Sequence, residues 1–115
     1  MSRREVELEP EVRDWYLSLS EGDQARVRFH IDRLADMGPL LGEPHTRQLD
    51  GPLRELRFFL SGRRTRMTYW IAPGRRIVLL TVFSKSQRRQ RDEIRRARRA
   101  MRRCMDEAHQ AADEE

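Results

Sequence analysis

The chain predicts one α+β domain over residues 1–115, with elements in the order β-α-α-β-β-β-α. Three patterns carry this reading. Apolar residues recur at helical spacing through the first third of the chain. Three strand-length runs separated by tight turns follow. An arginine-rich stretch with one narrow apolar stripe comes last. The expected architecture is a mostly antiparallel, curved sheet with an N-terminal helical hairpin and a basic C-terminal helix.

Each element has a local reason. Arg4-Glu5-Val6-Glu7-Leu8-Glu9 alternates charged and apolar residues, as a half-buried strand does. Pro10 suits the first turn of a helix, and Val12, Trp15, Tyr16 and Leu19 lie on one face of that helix. Ser20-Glu21-Gly22-Asp23 breaks it and supplies capping oxygens for the next. Val27, Ile31, Leu34 and Ala35 repeat the spacing, and Gly38-Pro39 ends it. Residues 40–52 contain Gly42, Pro44, Gly51 and Pro52 and read as a loop. Leu53 to Leu60, Arg66 to Ile71 and Arg76 to Phe83 read as strands, joined by turns at Ser61-Gly62-Arg63-Arg64 and Ala72-Pro73-Gly74-Arg75. The unbroken apolar run of the third suggests a strand covered on both faces. A helix begins near Gln87 with Ile94, Ala97, Met101, Cys104 and Met105 on its apolar face, and residues 106–115 are expected to fray.

Composition narrows the function classes. Hydrophobic and charged residues each make up 37% of the 115, enough for one modest core. Cys104 is the only cysteine, which excludes an intramolecular disulfide and a four-cysteine zinc site. His30, His45 and His109 have no motif partner, so each reads as structural or exposed and no metal or other cofactor is expected. The longest apolar run, Ile77 to Phe83, falls far short of the ~20 residues that span a bilayer. The N-terminus lacks the apolar stretch of a secretory signal, and a cytoplasmic protein with no membrane role is expected.

Net charge is +5, but unevenly spread: −4 over residues 1–52, +6 over 53–84, +8 over 85–103 and −5 over 104–115. Such a field suits a polyanion; the plainer alternative is a solvated Arg-rich face. Of the 24 basic residues only Lys85 is a lysine.

The strand block carries a resemblance. Leu49-Asp50-Gly51-Pro52-Leu53-Arg54-Glu55-Leu56-Arg57 resembles the L-x-G-x-L-x-E-L-R stretch of the HigB-like branch of the RelE/ParE toxin superfamily. Arg66-Met67-Thr68-Tyr69 is similar to its R-h-x-Y strand (h, apolar), and Leu79-Leu80-Thr81-Val82-Phe83-Ser84-Lys85 to its L-L-x-x-F-x-K strand end. Glu93-Ile94-Arg95-Arg96-Ala97 is similar to the E-I-x-x-A that opens the last helix. Ser86 stands where many relatives carry a second lysine; Arg88, Arg89 and Arg91 follow and could replace its charge, though not its geometry. The resemblance implies a RelE-like fold and the toxin of a type II toxin–antitoxin pair. It implies a ribosome-dependent endoribonuclease that cuts mRNA without metal and inhibits translation, and a cognate antitoxin of helix-turn-helix type that masks the basic surface in a hetero-oligomer.

Metal-free RNA cleavage needs a group to take the 2′ proton, cations around the pentacoordinate phosphate and a donor to the 5′ oxygen. Arginine suits the cation role because its planar fork pairs with two phosphate oxygens. Arg57 and Arg66, on adjacent strands, are the expected phosphate grip; alternation turns Arg57 away from Leu56 and Phe58. Lys85 is the expected cation or proton donor, and Tyr69 could stack on a base or orient the phosphate. Arg64, Arg88, Arg89, Arg91 and Arg95 are the expected RNA-binding set. Plainer alternatives exist: Tyr69 and Phe83 as core or rim aromatics, Arg57 in an ion pair with Glu55 or Glu93, and Trp15, Trp70 and Cys104 as packing residues. Two other functions fit the chain: a ParE-like gyrase poison acting through protein contacts, and a binding module without catalysis.

Overall fold

The computed structural model describes residues 3–85 and 90–114, with side chains through residue 107. The elements are β1 (Glu5–Leu8), α1 (Pro10–Leu17), α2 (Glu21–Met37), a 3-10 turn (Gly38–Leu40), β2 (Thr46–Asp50), β3 (Leu53–Leu60), β4 (Arg63–Ala72), β5 (Arg76–Ser84) and α3 (Gln90–Glu114). The fold is therefore α+β, with one strand more than expected. The sheet order is β1-β5-β4-β3-β2. β1 pairs with β5 in parallel, and the other three pairings are antiparallel.

The extra strand corrects the reading of residues 40–52 as a loop. Thr46, Arg47 and Gln48 pair with Leu56, Glu55 and Arg54, and Asp50 pairs with Leu53 after a bulge. The segment is short, polar and framed by Gly42, Pro44, Gly51 and Pro52, so nothing in its own pattern marks a strand. The unpaired edge of β3 supplies the backbone partners, and an edge strand can stay polar because it faces water. The expected helix start near Gln87 lies outside the described residues. From Gln90 the helix runs to Glu114 and takes in most of the expected tail.

Local chemistry explains the ends of the other elements. Pro10 sits in the first turn of α1. The Ser20 hydroxyl accepts from the Asp23 amide at 3.2 Å and so caps α2. Gly38 ends α2 at φ 53°, where a Cβ would also collide with the Arg4 guanidinium. β3 and β4 are joined by Ser61 (φ 49°) and Gly62 (φ 77°). Two consecutive positive φ values match the right-handed twist of the flanking strands.

Each face of the sheet carries a hydrophobic layer. On one, Val12 of α1 and Val27, Ile31 and Leu34 of α2 pack on Leu56, Phe58, Leu60, Met67, Tyr69, Ile77 and Leu79. On the other, Ala97, Ala100 and Met101 of α3 pack on Leu53, Trp70, Ala72, Val78 and Leu80. β5 is thus covered on both sides, in keeping with its continuous apolar sequence. Arg98 of α3 ties the helix to Asp50 at 2.7 Å. Arg96 pairs with Glu93 at 2.6 Å and reaches Glu11, whose other oxygen accepts from the Val82 amide at 3.0 Å.

Candidate functional site

Register and alternation build the site. Arg57 lies opposite Arg66, Glu55 opposite Thr68 and Phe59 opposite Arg64. Across the next pairing, Arg66 lies opposite Phe83 and Thr68 opposite Thr81. Side chains two apart share a face. Glu55, Arg57 and Phe59 therefore extend the face of Leu53, and Thr68, Arg66 and Arg64 that of Trp70. Leu53 and Trp70 pack against α3. The apolar stripe of α3 occupies one end of this face, and the polar set occupies the other.

Glu55 is the centre of that polar set. Its side chain is 2% exposed, with Oε1 at 3.8 Å from Arg66 Nε and 3.9 Å from Arg57 Nε. Its Oε2 is buried and has no hydrogen-bond partner among the described residues. Burial pushes the carboxyl above its ordinary value, although Arg66, Arg57, Arg47 and Lys85 all pull it down. Burial, and then the charge of Arg57, hold the Arg66 guanidinium below its ordinary value, against the attraction of Glu55. Arg66 is nearly buried and donates from Nη1 to the Thr65 carbonyl at 3.1 Å. Beneath it, the Thr68 and Thr81 hydroxyls bond at 2.6 Å, which keeps this buried polar floor satisfied.

A cavity of about 560 Å3 opens beside β3. Arg57, Arg64 and Arg66 reach it from the sheet, His30 and Arg33 from α2, and Pro44 and His45 from the loop before β2. No acidic side chain lines it. Glu55, behind the wall, offsets part of the repulsion among these guanidiniums, and an anion that enters the cavity relieves more of it.

The structure places the expected site residues unequally. Arg57, Arg64 and Arg66 meet at the cavity. Lys85 is half-buried, its amide donates to the Arg64 carbonyl at 2.8 Å, and its charge is felt at Glu55, although it does not line the cavity. Arg57 pairs with Glu55 rather than Glu93, which is taken by Arg96. Arg91 and Arg95 are exposed on α3 and do not line the cavity, and Arg88 and Arg89 lie outside the described residues. Tyr69 is a correction. It is fully buried among the residues beneath α1 and α2, on the face opposite Arg66, so it has no access to a base or phosphate. Its neighbour Thr68 takes the inward place on the polar face because β4 alternates. Trp70 packs against α3, half-buried Cys104 of α3 joins the same layer, and burial raises the Cys104 thiol.

Sequence reasoning missed Glu55, His30, Arg33 and His45. Glu55 had a signal: it is the only acid among the seven arginines of residues 53–84. The other three had none, since α2 and the following loop bring them together only in three dimensions. Among the described residues no cluster of His, Cys, Asp and Glu is suited to a metal, and no helix is long and apolar enough to cross a membrane.

This sheet-and-helix arrangement is a RelE-like fold. The free E. coli toxin RelE, solved as a double-arginine mutant, superposes with a TM-score of 0.61 at 11% identity, over 89% of this chain and 98% of that one. The intact E. coli RelBE toxin–antitoxin complex gives a TM-score of 0.53 at 9% identity, over 73% of this chain and 99% of that one. Residues 14–102 match the phage-derived Gp49-like protein family (DUF891), and the chain belongs to that family. No curated protein matches the sequence. These likenesses establish the fold and the family and do not single out the HigB-like branch.

Proposed function

We propose that this chain is the toxin of a type II toxin–antitoxin pair, HigB-like in kind, and that it cuts mRNA on the ribosome in the cytoplasm without a metal. The observation that carries the reading is the meeting of Arg57 and Arg66 across β3 and β4, over a buried carboxylate and within electrostatic reach of Lys85.

In metal-free cleavage the 2′ oxygen attacks the adjacent phosphorus, the bond to the 5′ oxygen breaks, and a 2′,3′-cyclic phosphate remains. The 2′ proton passes to a base and the departing 5′ oxygen gains a proton. Negative charge grows on the non-bridging oxygens in between. Arg57 and Arg66 are suited to hold those oxygens, because charge already in place where charge develops needs no reorganisation. Glu55 spaces the two guanidiniums and neutralises part of their repulsion. Lys85 is the proton donor to the 5′ oxygen. Arg64, Arg91 and Arg95, with Arg88 and Arg89, supply the sequence-independent grip on the RNA backbone. The likeness to the RelBE toxin–antitoxin complex supports a cognate antitoxin as partner; the helix-turn-helix type is what the HigB resemblance implies, and acidic side chains on it would mask this field.

Purified protein added to an in vitro translation reaction tests the reading. Cuts in mRNA that require the ribosome, with growth arrest on induction and relief by the neighbouring gene product, are the expected result. Intact mRNA together with blocked DNA supercoiling would assign a gyrase-directed toxin instead. RNA binding with neither cleavage nor growth arrest would assign a module without catalysis.

A further inference from the structure

Three side chains on the outer wall of the cavity take no part in gripping the scissile phosphate. Arg33 Nη2 lies 3.1 Å from His45 Nδ1 and 3.3 Å from His30 Nδ1. A guanidinium can only donate. Each Nδ1 is therefore an acceptor, and each ring carries its proton on Nε2. Arg33 thus sets the tautomer of both imidazoles at once. Neither Nε2 has a hydrogen-bond partner among the described residues. The His30 ring is held flat on Phe58, with centroids 4.7 Å apart and planes at 16°, and Phe29 meets it edge-on.

We propose that His30, Arg33 and His45 form a second phosphate subsite, which takes the RNA phosphate next to the one held by Arg57 and Arg66. The ligand chemistry is a phosphate oxygen, met by two neutral N–H donors and the Arg33 charge. The choice of RNA as its source rests on the endoribonuclease reading; the recognition of phosphate does not.

The cluster makes poor sense as a packing device alone. It places two imidazoles against a cation, with Arg57, Arg64 and Arg66 facing the same space and no acid on the cavity wall. A carboxylate behind that wall, Glu55, sits against Arg57 and Arg66. Burial, then the charges of Arg33 and His45, hold His30 below the ordinary histidine value. A phosphate in the cavity reverses the electrostatic part of that effect. Because Arg33 occupies Nδ1, a proton can enter His30 only where the phosphate draws that guanidinium onto itself and off the ring nitrogen; by this exchange phosphate binding should take up a proton at His30, and affinity should rise as pH falls.

The test is an NMR titration of the histidine Hε1 signals of the wild-type protein, assigned with His30→Asn and His45→Asn. It is run alone, with inorganic phosphate, and with a 2′-O-methyl oligoribonucleotide that cannot be cleaved. The expected result is a rise of about one pH unit in the His30 midpoint with either ligand, the size a nearby opposite charge produces. Affinity for the oligoribonucleotide, whose phosphodiesters keep their charge over this range, should then be about tenfold higher at low pH than at neutral pH, and this dependence should vanish in the double His→Asn variant. Ribosome-dependent cleavage is measured on the same protein. Cleavage with histidine signals that ignore both ligands would overturn the subsite and leave the nuclease reading standing. Signals that respond to phosphate in a protein that cuts no mRNA would uphold the subsite and sink the nuclease reading.

Discussion

Glu55→Gln separates the roles of the central carboxylate in folding and in catalysis. The side chain is buried and lies 3.8 and 3.9 Å from two guanidinium nitrogens. At an effective dielectric near 20, each such pair is worth about 4 kcal/mol of attraction before desolvation. Yet burial outweighs that attraction, because the carboxyl sits above its ordinary value in spite of four neighbouring cations. A raised carboxyl means that the folded protein binds this proton more tightly than the unfolded chain does. Its contribution to stability is therefore full below the unfolded value and is lost as pH rises through the folded one. At neutral pH the charged form costs stability relative to a neutral group of the same shape. Glutamine is such a group, so Glu55→Gln should leave neutral-pH stability within about 1 kcal/mol of wild type, a shift of roughly 4 °C or less for a chain of this size. The same change removes the charge that spaces Arg57 and Arg66, and ribosome-dependent cleavage should fall at least tenfold. Thermal unfolding by circular dichroism from acid to neutral pH, paired with a cleavage assay, measures both. Wild type should lose stability relative to the variant as pH rises. A variant destabilised by more than about 3 kcal/mol at neutral pH, the cost of breaking a net-favourable buried pair, would refute this reasoning.

Other changes give equally direct outcomes. Arg66→Ala should abolish growth arrest and lower cleavage by about a hundredfold or more, as loss of one preorganised donor does, with antitoxin binding retained in a pull-down; full toxicity would remove Arg66 from the site. Tyr69→Phe should leave toxicity unchanged and stability equal or slightly higher, since the hydroxyl it deletes is buried without a partner; lost toxicity with an intact fold would contradict the burial of that ring. Trp70→Ala should cost about 3–5 kcal/mol in chemical denaturation, because it leaves a void beneath Ala97 and Met101. Ser20→Ala should cost about 1 kcal/mol through loss of the α2 cap.

Much of the architecture is legible in the residues. The helical spacing of Val27, Ile31 and Leu34 marks α2, and those three side chains are its core contacts. Gly62 marks the hairpin turn, because glycine takes a left-handed φ without steric cost, whereas nothing in Ser61 announces its own φ of 49°. Period-two alternation also brings Arg57 to the polar face. The motif resemblance misleads at Tyr69, which it offers as part of the site. Strand alternation sends that ring to the opposite side.

Local pattern, then, specifies the elements that carry their own periodicity, the turns that need particular φ values, and the sign of the field. Folding adds what depends on partners distant in the chain. β2 exists because β3 has an open edge. Glu55 becomes a buried charge because Arg57 and Arg66 close over it. His30 and His45 become a pair because Arg33 stands between them. Hydrophobic periodicity is a property of neighbours a few residues apart, whereas an edge to complete, a charge to desolvate or a tautomer to set depends on groups that meet only once the sheet has formed.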